Sequence, residues 1–317
     1  MKSFVAAAFA AVAVADTLDV RDYLKYVAKF GKDYSTMEEF VERAKIYLEN
    51  ESLINEHNAT NASFILGHNQ FSDMTEEELA NTRGYVDMDL MGATAAPQGL
   101  RTANAVDWRD AGCVTPVKDQ GQCGSCWSFS TTGTVEGAHC AKSGELLSLS
   151  EQQLVDCATT FNMGCNGGNP LITYRYLKSH YAILEDDYSY QAVQGACAYD
   201  SSPKTDVQVA QTFQVSQNNV SALKQALSQS TVSVLIEADQ RVFQLYKTGV
   251  FDSAQCGTTL DHAVMLVGYG KDNGQEYWIL KNSWNTTWGE QGFARLATGG
   301  GKKGTCGISQ YVYYPTI

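Results

Sequence analysis

The chain has 317 residues, 44% of them hydrophobic and 18% charged, which supplies apolar material for a large buried core and argues against global disorder. An excess of 35 acids over 23 bases gives a net charge of −12, so a phosphate backbone is not attracted and nucleic acid is excluded as a partner. Nine cysteines are too few for a disulfide-dense mini-protein, and their number is odd.

Lys2 followed by the apolar run Phe4 to Ala15, ending in Ala13-Val14-Ala15, reads as a signal peptide over residues 1–15 with an A-x-A cleavage site. The run is shorter than the ~20 residues a membrane span needs, and no later stretch is long and apolar enough. No membrane anchorage is expected, and the chain passes through an oxidising lumen where disulfides form. Arg21 to Phe30 and Met37 to Asn58 have helical periodicity, with Phe40, Ala44, Tyr47 and Ile54 near one face. Ser35-Thr36 ahead of Glu38-Glu39 marks a helix start, and Glu39 and Arg43 are placed for an i,i+4 ion pair. Residues 87–104 mix Gly, Ala, Pro, Gln and Asn without periodicity and read as a linker or exposed cleavable segment.

All nine cysteines follow. Cys126 to Ala141 is expected to be a helix, with Ser125 as cap and Gly144 past its end. A second helix begins near Glu151, capped by Ser148 or Ser150, and a third covers Asn219 to Ser228. Strand signals then dominate: Val232 to Glu237, His262 to Tyr269, Glu276 to Lys281, Gly292 to Leu296 and Gln310 to Tyr314. Helices first and strands afterwards indicate an α+β protein of two segregated halves rather than alternating βαβ units. Both the cysteine-free and the cysteine-bearing parts are acidic, so apolar contacts and specific pairs must hold them together.

The densest chemical signal is Gln120-Gly121-Gln122-Cys123-Gly124-Ser125-Cys126-Trp127, with His262 and Asn282-Ser283-Trp284 far downstream. Singly these residues are ordinary: a cysteine is usually inert or bridged, a histidine packed, an asparagine a cap. Together they supply a nucleophile, a proton shuttle and an orienting amide. Cys123-Gly124-Ser125-Cys126 is also a C-x-x-C, the spacing of a redox pair, although no βαβ context precedes it. No paired C-x-x-C or H-x3-H spacing suggests zinc.

The ordered set resembles the papain-type cysteine protease precursors, nearest the cathepsin L group, whose nucleophile motif is C-G-[SA]-C-[WY]. The upstream part resembles that group too. Its helix pattern appears as Glu39, Arg43, Tyr47, Asn50, Ile54 and Asn58, with Tyr47 standing for the usual Phe, and its G-x-N-x-F-x-D as Gly67, Asn69, Phe71 and Asp73. The resemblance implies a papain-like two-lobed fold, with a helical left lobe and a β-barrel-like right lobe. It also implies an N-terminal α-helical inhibitory propeptide (residues 16–101) lying backwards through the cleft of a peptidase domain (residues 102–317). It implies Cys126 as nucleophile, His262 as its partner, Asn282 as the group orienting the ring, Gln120 as an oxyanion donor and Trp284 as a cover over the Asn282–His262 contact. Gly168 would pair with an extended substrate, and Asn169, Pro170, Leu235, Ala263 and Tyr311 would line the pocket for the residue two before the cut. With Tyr311 at its floor, that pocket is expected to take Leu or Val and to disfavour Phe.

The resemblance further implies the bridges Cys123–Cys165, Cys157–Cys197 and Cys256–Cys306. Cys113 and Cys140 depart from the commonest pattern and are expected to form a fourth. No cofactor and no metal are expected, and the protein is expected to be a monomer. Its partners would be protein and peptide substrates and its own propeptide, in the secretory pathway and then a lysosome, vacuole or the extracellular space. Protonation of propeptide carboxylates, Glu39 beside Arg43 among them, would loosen the precursor in acid. Asn50, Asn58, Asn61, Asn219 and Asn285 head N-x-[ST] sequons, each a weak signal alone.

Overall fold

The computed structural model describes residues 20–88 and 93–317. The expected signal peptide, residues 1–15, lies outside the described residues. Helix α1 (Val20–Phe30) crosses α2 (Met37–Asn58). Thr36 caps α2 by accepting the Glu39 N–H, which explains why the helix starts where Ser35-Thr36 predicted. Between them Tyr23, Tyr26, Ala44 and Tyr47 form a small aromatic core, with ring centroids 4.9–6.1 Å apart. Strand β1 (Phe64–Leu66) follows, then the short α3 (Glu76–Ala80), whose Thr75 and Glu78 form a reciprocal capping box.

Past the short β2 (Thr94–Ala95) and β3 (Val106–Asp107), a helical lobe is built on α4 (Cys126–Ser143) with α5 (Glu151–Cys157) and α6 (Pro170–Leu177) around it. Gly144 ends α4 in the left-handed conformation, φ 78°. Ser125 stands at its start but makes no side-chain cap; its hydroxyl goes to Cys123 O and Tyr190. Ser150 caps α5 and Asn169 caps α6, with Pro170 at the first turn.

The second lobe is a sheet. In chain order its strands are β4 (Gln211–Gln214), β5 (Val232–Ile236), β6 (Tyr246–Phe251), β7 (His262–Asp272), β8 (Gln275–Lys281), β9 (Phe293–Ala297) and β10 (Val312–Thr316), with helices α7 (Val220–Leu227) and α8 (Arg241–Gln244) interleaved. The pairing order is β1-β6-β9-β8-β7-β5-β10-β4-β2, with β3 on β7. The helices-then-strands division therefore holds for the main body and fails at its margins. Strand β1, only three residues long, is too short to show a period and takes its pairing from β6, far along the chain. The segment expected to be a plain linker also contributes β2, parallel to β4, with the Ala96 N–H on Gln214 O at 2.9 Å.

The N-terminal unit docks through apolar side chains. Ile54, Phe64, Leu66, Phe71, Met74 and Leu79 belong to one core with Phe243, Phe251, Trp284 and Trp288 of the sheet lobe. Specific bonds add to it: Gly67 N to Leu245 O at 2.9 Å and the Asn69 amide to Gln244 O at 2.8 Å. Four disulfides tie the main body: Cys113–Cys140, Cys123–Cys165, Cys157–Cys197 and Cys256–Cys306. The first joins the segment before α4 to the end of that helix across a separation of 27 residues. Replacing Cys113 and Cys140 together by serine is expected to cost about 3 kcal/mol, as closing a loop of this size does. Calorimetry should show this as a transition several degrees lower, and an unchanged melting temperature would refute it.

Candidate active site

The site lies where the two lobes meet. Cys126 opens α4 and is the one free cysteine, fully buried. Cys123 is bridged to Cys165, so Cys123 and Cys126 do not form a redox pair. Across the interface β7 begins with His262, and the N–H of the next residue, Ala263, points at the Cys126 sulfur at 3.4 Å. The end of β8 delivers Asn282, whose Oδ1 lies 2.9 Å from His262 Nε2. The Trp284 ring stacks on the imidazole, 4.6 Å between centroids and 20° apart in plane. His262 Nδ1 is buried with no hydrogen-bond partner.

Gln120 is fully buried. Its Nε2 donates to Cys123 O at 2.9 Å, its Oε1 accepts from the Ser283 hydroxyl at 2.6 Å, and its backbone N–H goes to Ser283 O at 2.9 Å. A carboxamide carries two N–H bonds, so one more is available. Ser283 is a positioning residue that the sequence reading missed; its only signal was a place between Asn282 and Trp284. Just behind the site Lys118 and Lys281 face Glu136 and Glu151. Lys118 Nζ lies 2.8 Å from Glu151, Lys281 Nζ bonds Thr115 at 2.9 Å, and Thr115 bonds Glu136 at 2.7 Å. Lys281 adjoins Asn282 and enters from the sheet lobe, while both carboxylates belong to the helical lobe. The balanced quartet thus ties the strand end bearing Asn282 to the lobe bearing Cys126.

A strand of the N-terminal unit covers the cleft. Tyr85 pairs with Gly168 in a parallel bridge: Gly168 N donates to Gly84 O at 2.8 Å and Val86 N to Gly168 O at 3.0 Å. On the other wall the N–H groups of Gly84 and Tyr85 both reach Asp261 O, at 3.2 and 3.0 Å. Thr82 O accepts from Trp284 Nε1 at 2.9 Å, and Arg83 pairs with the Asp261 carboxylate at 2.8 Å. Gly84 must be glycine, because a Cβ there would lie 1.9 Å from Gly124 O. Asn169 caps α6 and donates to Val86 O at 3.3 Å. Leu235 and Ala263 are partners across β5 and β7, and Tyr311 O accepts the Leu235 N–H at 3.3 Å. Their cluster also holds Cys126, Trp127 and the ring of Tyr85, with Tyr311 packed against it. The ring of Tyr85 therefore occupies the cluster against which Tyr311 packs.

The cover also sets the charge state. Burial pushes the Cys126 thiol up to about 12, outweighing the N–H groups of Ala263 and Gly84 that favour its thiolate. Burial drives His262 down to about 3, and the Asn282 bond offsets this only in part. Burial in the covered site thus favours the neutral thiol and the neutral imidazole. Among the described residues no cluster suited to a metal ion occurs, and no helix is long and apolar enough to cross a membrane.

Comparison with known proteins agrees with this geometry. Residues 102–316 match the profile of the papain family cysteine proteases, and residues 23–79 that of the cathepsin propeptide inhibitor domain. The chain is 42% identical over 308 residues to digestive cysteine proteinase 1 of Homarus americanus, covering 92% of this chain and 94% of that one. It is 43% identical over 288 residues to a cysteine protease of Arabidopsis thaliana, RD21B, covering 86% of this chain but 60% of the relative's own length. The solved structure of digestive procathepsin L 3 from Tenebrio molitor larval midgut superposes with a TM-score of 0.85 at 36% identity, over 95% of this chain and 100% of that one.

A protonated, covered thiol should resist alkylation. At neutral pH, iodoacetamide should modify Cys126 in the precursor about 10²-fold more slowly than after removal of the N-terminal unit. Equal rates by mass spectrometry would refute the assigned charge state.

Proposed function

Because the chain belongs to the papain family of cysteine proteases and carries a cathepsin propeptide inhibitor domain ahead of its peptidase domain, we propose that Cys126, His262, Asn282 and Gln120 cleave peptide bonds once residues 16–101 leave the cleft. The observation that carries this reading is the ring of His262. Its Nε2 is engaged by Asn282, its Nδ1 is left unpaired, and the N–H of the next residue, Ala263, reaches the free thiol of Cys126 at 3.4 Å. His262 Nδ1 takes the thiol proton when water re-enters, and the start of α4 favours the resulting thiolate. The thiolate attacks the substrate carbonyl carbon. The oxyanion is met by the Cys126 N–H and the remaining Gln120 N–H, each such donor being worth about 10²-fold in rate. His262 then protonates the leaving amine, and water hydrolyses the thioester.

The cover strand is not cut because it runs parallel to the wall at Gly168, opposite to the direction of a substrate. Residues 1–15 act as a leader into the secretory pathway, and residues 16–101 act as the intramolecular inhibitor until an acidic lysosome or vacuole, or the extracellular space, is reached. The Glu39–Arg43 pair, one of those expected to weaken in acid, is long at 3.5 Å. Arg43 is instead bidentate on Glu78, with one contact at 2.6 Å, and also donates to Asp73 O. The Arg43 guanidinium holds the Glu78 carboxyl below its ordinary value. For a depressed acid, stabilisation is complete above the free-glutamate value of about 4.3 and is lost as pH falls below it.

Incubation of the precursor with a thiol reductant at about pH 4–5 should give a shorter, active species, while Cys126→Ala should stay full length and inactive. Persistence of inactive full-length wild type would overturn the proposal. Glu78→Gln should convert faster than wild type near pH 5.5 and lose much of the acceleration seen below about pH 4.3. An unchanged pH profile of the half-time would assign acid release elsewhere. With Leu235 and Ala263 in the cluster against which Tyr311 packs, substrates with Leu or Val two residues before the cut should be hydrolysed faster than those with Phe; a library profile preferring Phe or Arg there would contradict this.

A further inference from the structure

The tripeptide pattern marks five asparagines as equal candidates for N-linked sugar, but the folded chain does not treat them equally. What separates them is the work done by each side-chain nitrogen, the atom to which the sugar is joined. Asn50 is buried and its Nδ2 donates to Ser72 O at 2.9 Å. Asn58 clamps β1 with both ends of its amide, Nδ2 to Leu66 O and Oδ1 from Leu66 N, each at 2.9 Å. Asn285 donates through Nδ2 to Asp119 at 3.0 Å and adjoins Trp284. Its sequon threonine, Thr287, meets Gln70 of the cover unit at 2.5 Å. A glycan at these three positions would put a bulky ring where a carbonyl, a carboxylate or the docked propeptide stands, and would weaken a donor–acceptor pair already formed.

The other two keep the side-chain nitrogen free, although Ser63 of the Asn61 sequon, like Thr287, bonds across to the opposite unit, at Val250 O and 2.7 Å. Asn61 is exposed in the turn between α2 and β1 and makes no side-chain hydrogen bond among the described residues. Asn219 is exposed and caps α7 through Oδ1, which accepts Ala222 N at 3.0 Å, while its Nδ2 is unused. A sugar on Nδ2 leaves that cap intact, because the carbonyl oxygen keeps its role.

We propose that Asn61 and Asn219 are the N-glycosylation sites of this precursor and that Asn50, Asn58 and Asn285 are unmodified. The proposal rests on the secretory routing argued above. The donor is a polyprenyl diphosphate-linked oligosaccharide. The bond from the sugar's anomeric carbon to the diphosphate oxygen breaks, a bond from that carbon to Nδ2 forms, the amide loses one proton, and the polyprenyl diphosphate leaves. One glycan thus sits on the inhibitory unit and departs with it, and the other stays on the peptidase.

The test is site mapping on the full-length Cys126→Ala chain, produced in a eukaryotic secretory host. Glycan release by peptide-N-glycosidase in heavy-oxygen water converts each occupied asparagine to a mass-tagged aspartate. Tags at Asn61 and Asn219 alone are expected. Release should shift the precursor by two glycans and the processed wild-type enzyme by one, and the Asn61→Gln, Asn219→Gln double variant should not shift. A tag at Asn50, Asn58 or Asn285, or none at either predicted site, would overturn the proposal. Mapping needs no activity, so an inactive wild-type enzyme with the expected tags would sink the proposed chemistry and leave this assignment standing.

Discussion

The structure turns on a stretch of backbone, residues 84–86, laid between two walls of a cleft. One wall is Gly168, which exchanges hydrogen bonds with its neighbours on the strand; the other is Asp261 O, which accepts two more. Main-chain bonding of this kind is nearly independent of side-chain identity, so it would hold a substrate as well as an inhibitor. The strand's direction decides which it is. Its parallel pairing sets the peptide in reverse, and Gly84 lets it approach the backbone at Gly124 more closely than any other residue could.

Much else follows from that cover. It excludes water from Cys126 and His262, and in a dry site both groups favour their neutral forms. The rest of the N-terminal unit keeps the strand in place. Its apolar residues merge with the sheet core through Phe64, Phe71 and Leu79, a contact insensitive to pH. Its own fold uses Arg43, Glu78 and Asp73, which join α2 to α3 and to the turn before it. Carboxylate pairs also lie in the docked face, Arg83 with Asp261 and Arg241 with Glu76, so protonation bears on the docking surface as well as on the unit that presents the strand.

The legible parts of the sequence were those whose signals are local. Helix α2 could be read because Thr36, Glu39 and the Phe40–Ala44–Tyr47 face lie within a few turns of one another. Helix α4 could be read because Gly144 supplies the left-handed residue that ends it. Strand β6 could not be read, since polar Lys247 and Thr248 and Gly249, at φ 100°, break any alternation, and its pairing is with β1 and β9. Nor could α6, where Asn169-Pro170 read as cleft wall although the same two residues cap and start a helix. Arg43 shows the limit of spacing rules: an i,i+4 partner was available in Glu39, but Glu78 offered both oxygens in better geometry.

Chemistry was specified by residue type and order. A cysteine at a helix start, a distant histidine and an asparagine followed by Ser-Trp are the set on which the resemblance, and the proposal of a nucleophile and its helpers, rests. The tertiary structure alone decided what those groups experience. Only packing brings the start of α4 within reach of β7 and β8, leaves the second nitrogen of His262 unpaired, and places Ser283 to hold Gln120. Only packing puts Tyr85 into the cluster against which Tyr311 rests and sorts five equal tripeptides by the bonds their amides already make. Local pattern encodes what is close along the chain, whereas protonation, access and specificity depend on neighbours that the chain must fold to meet.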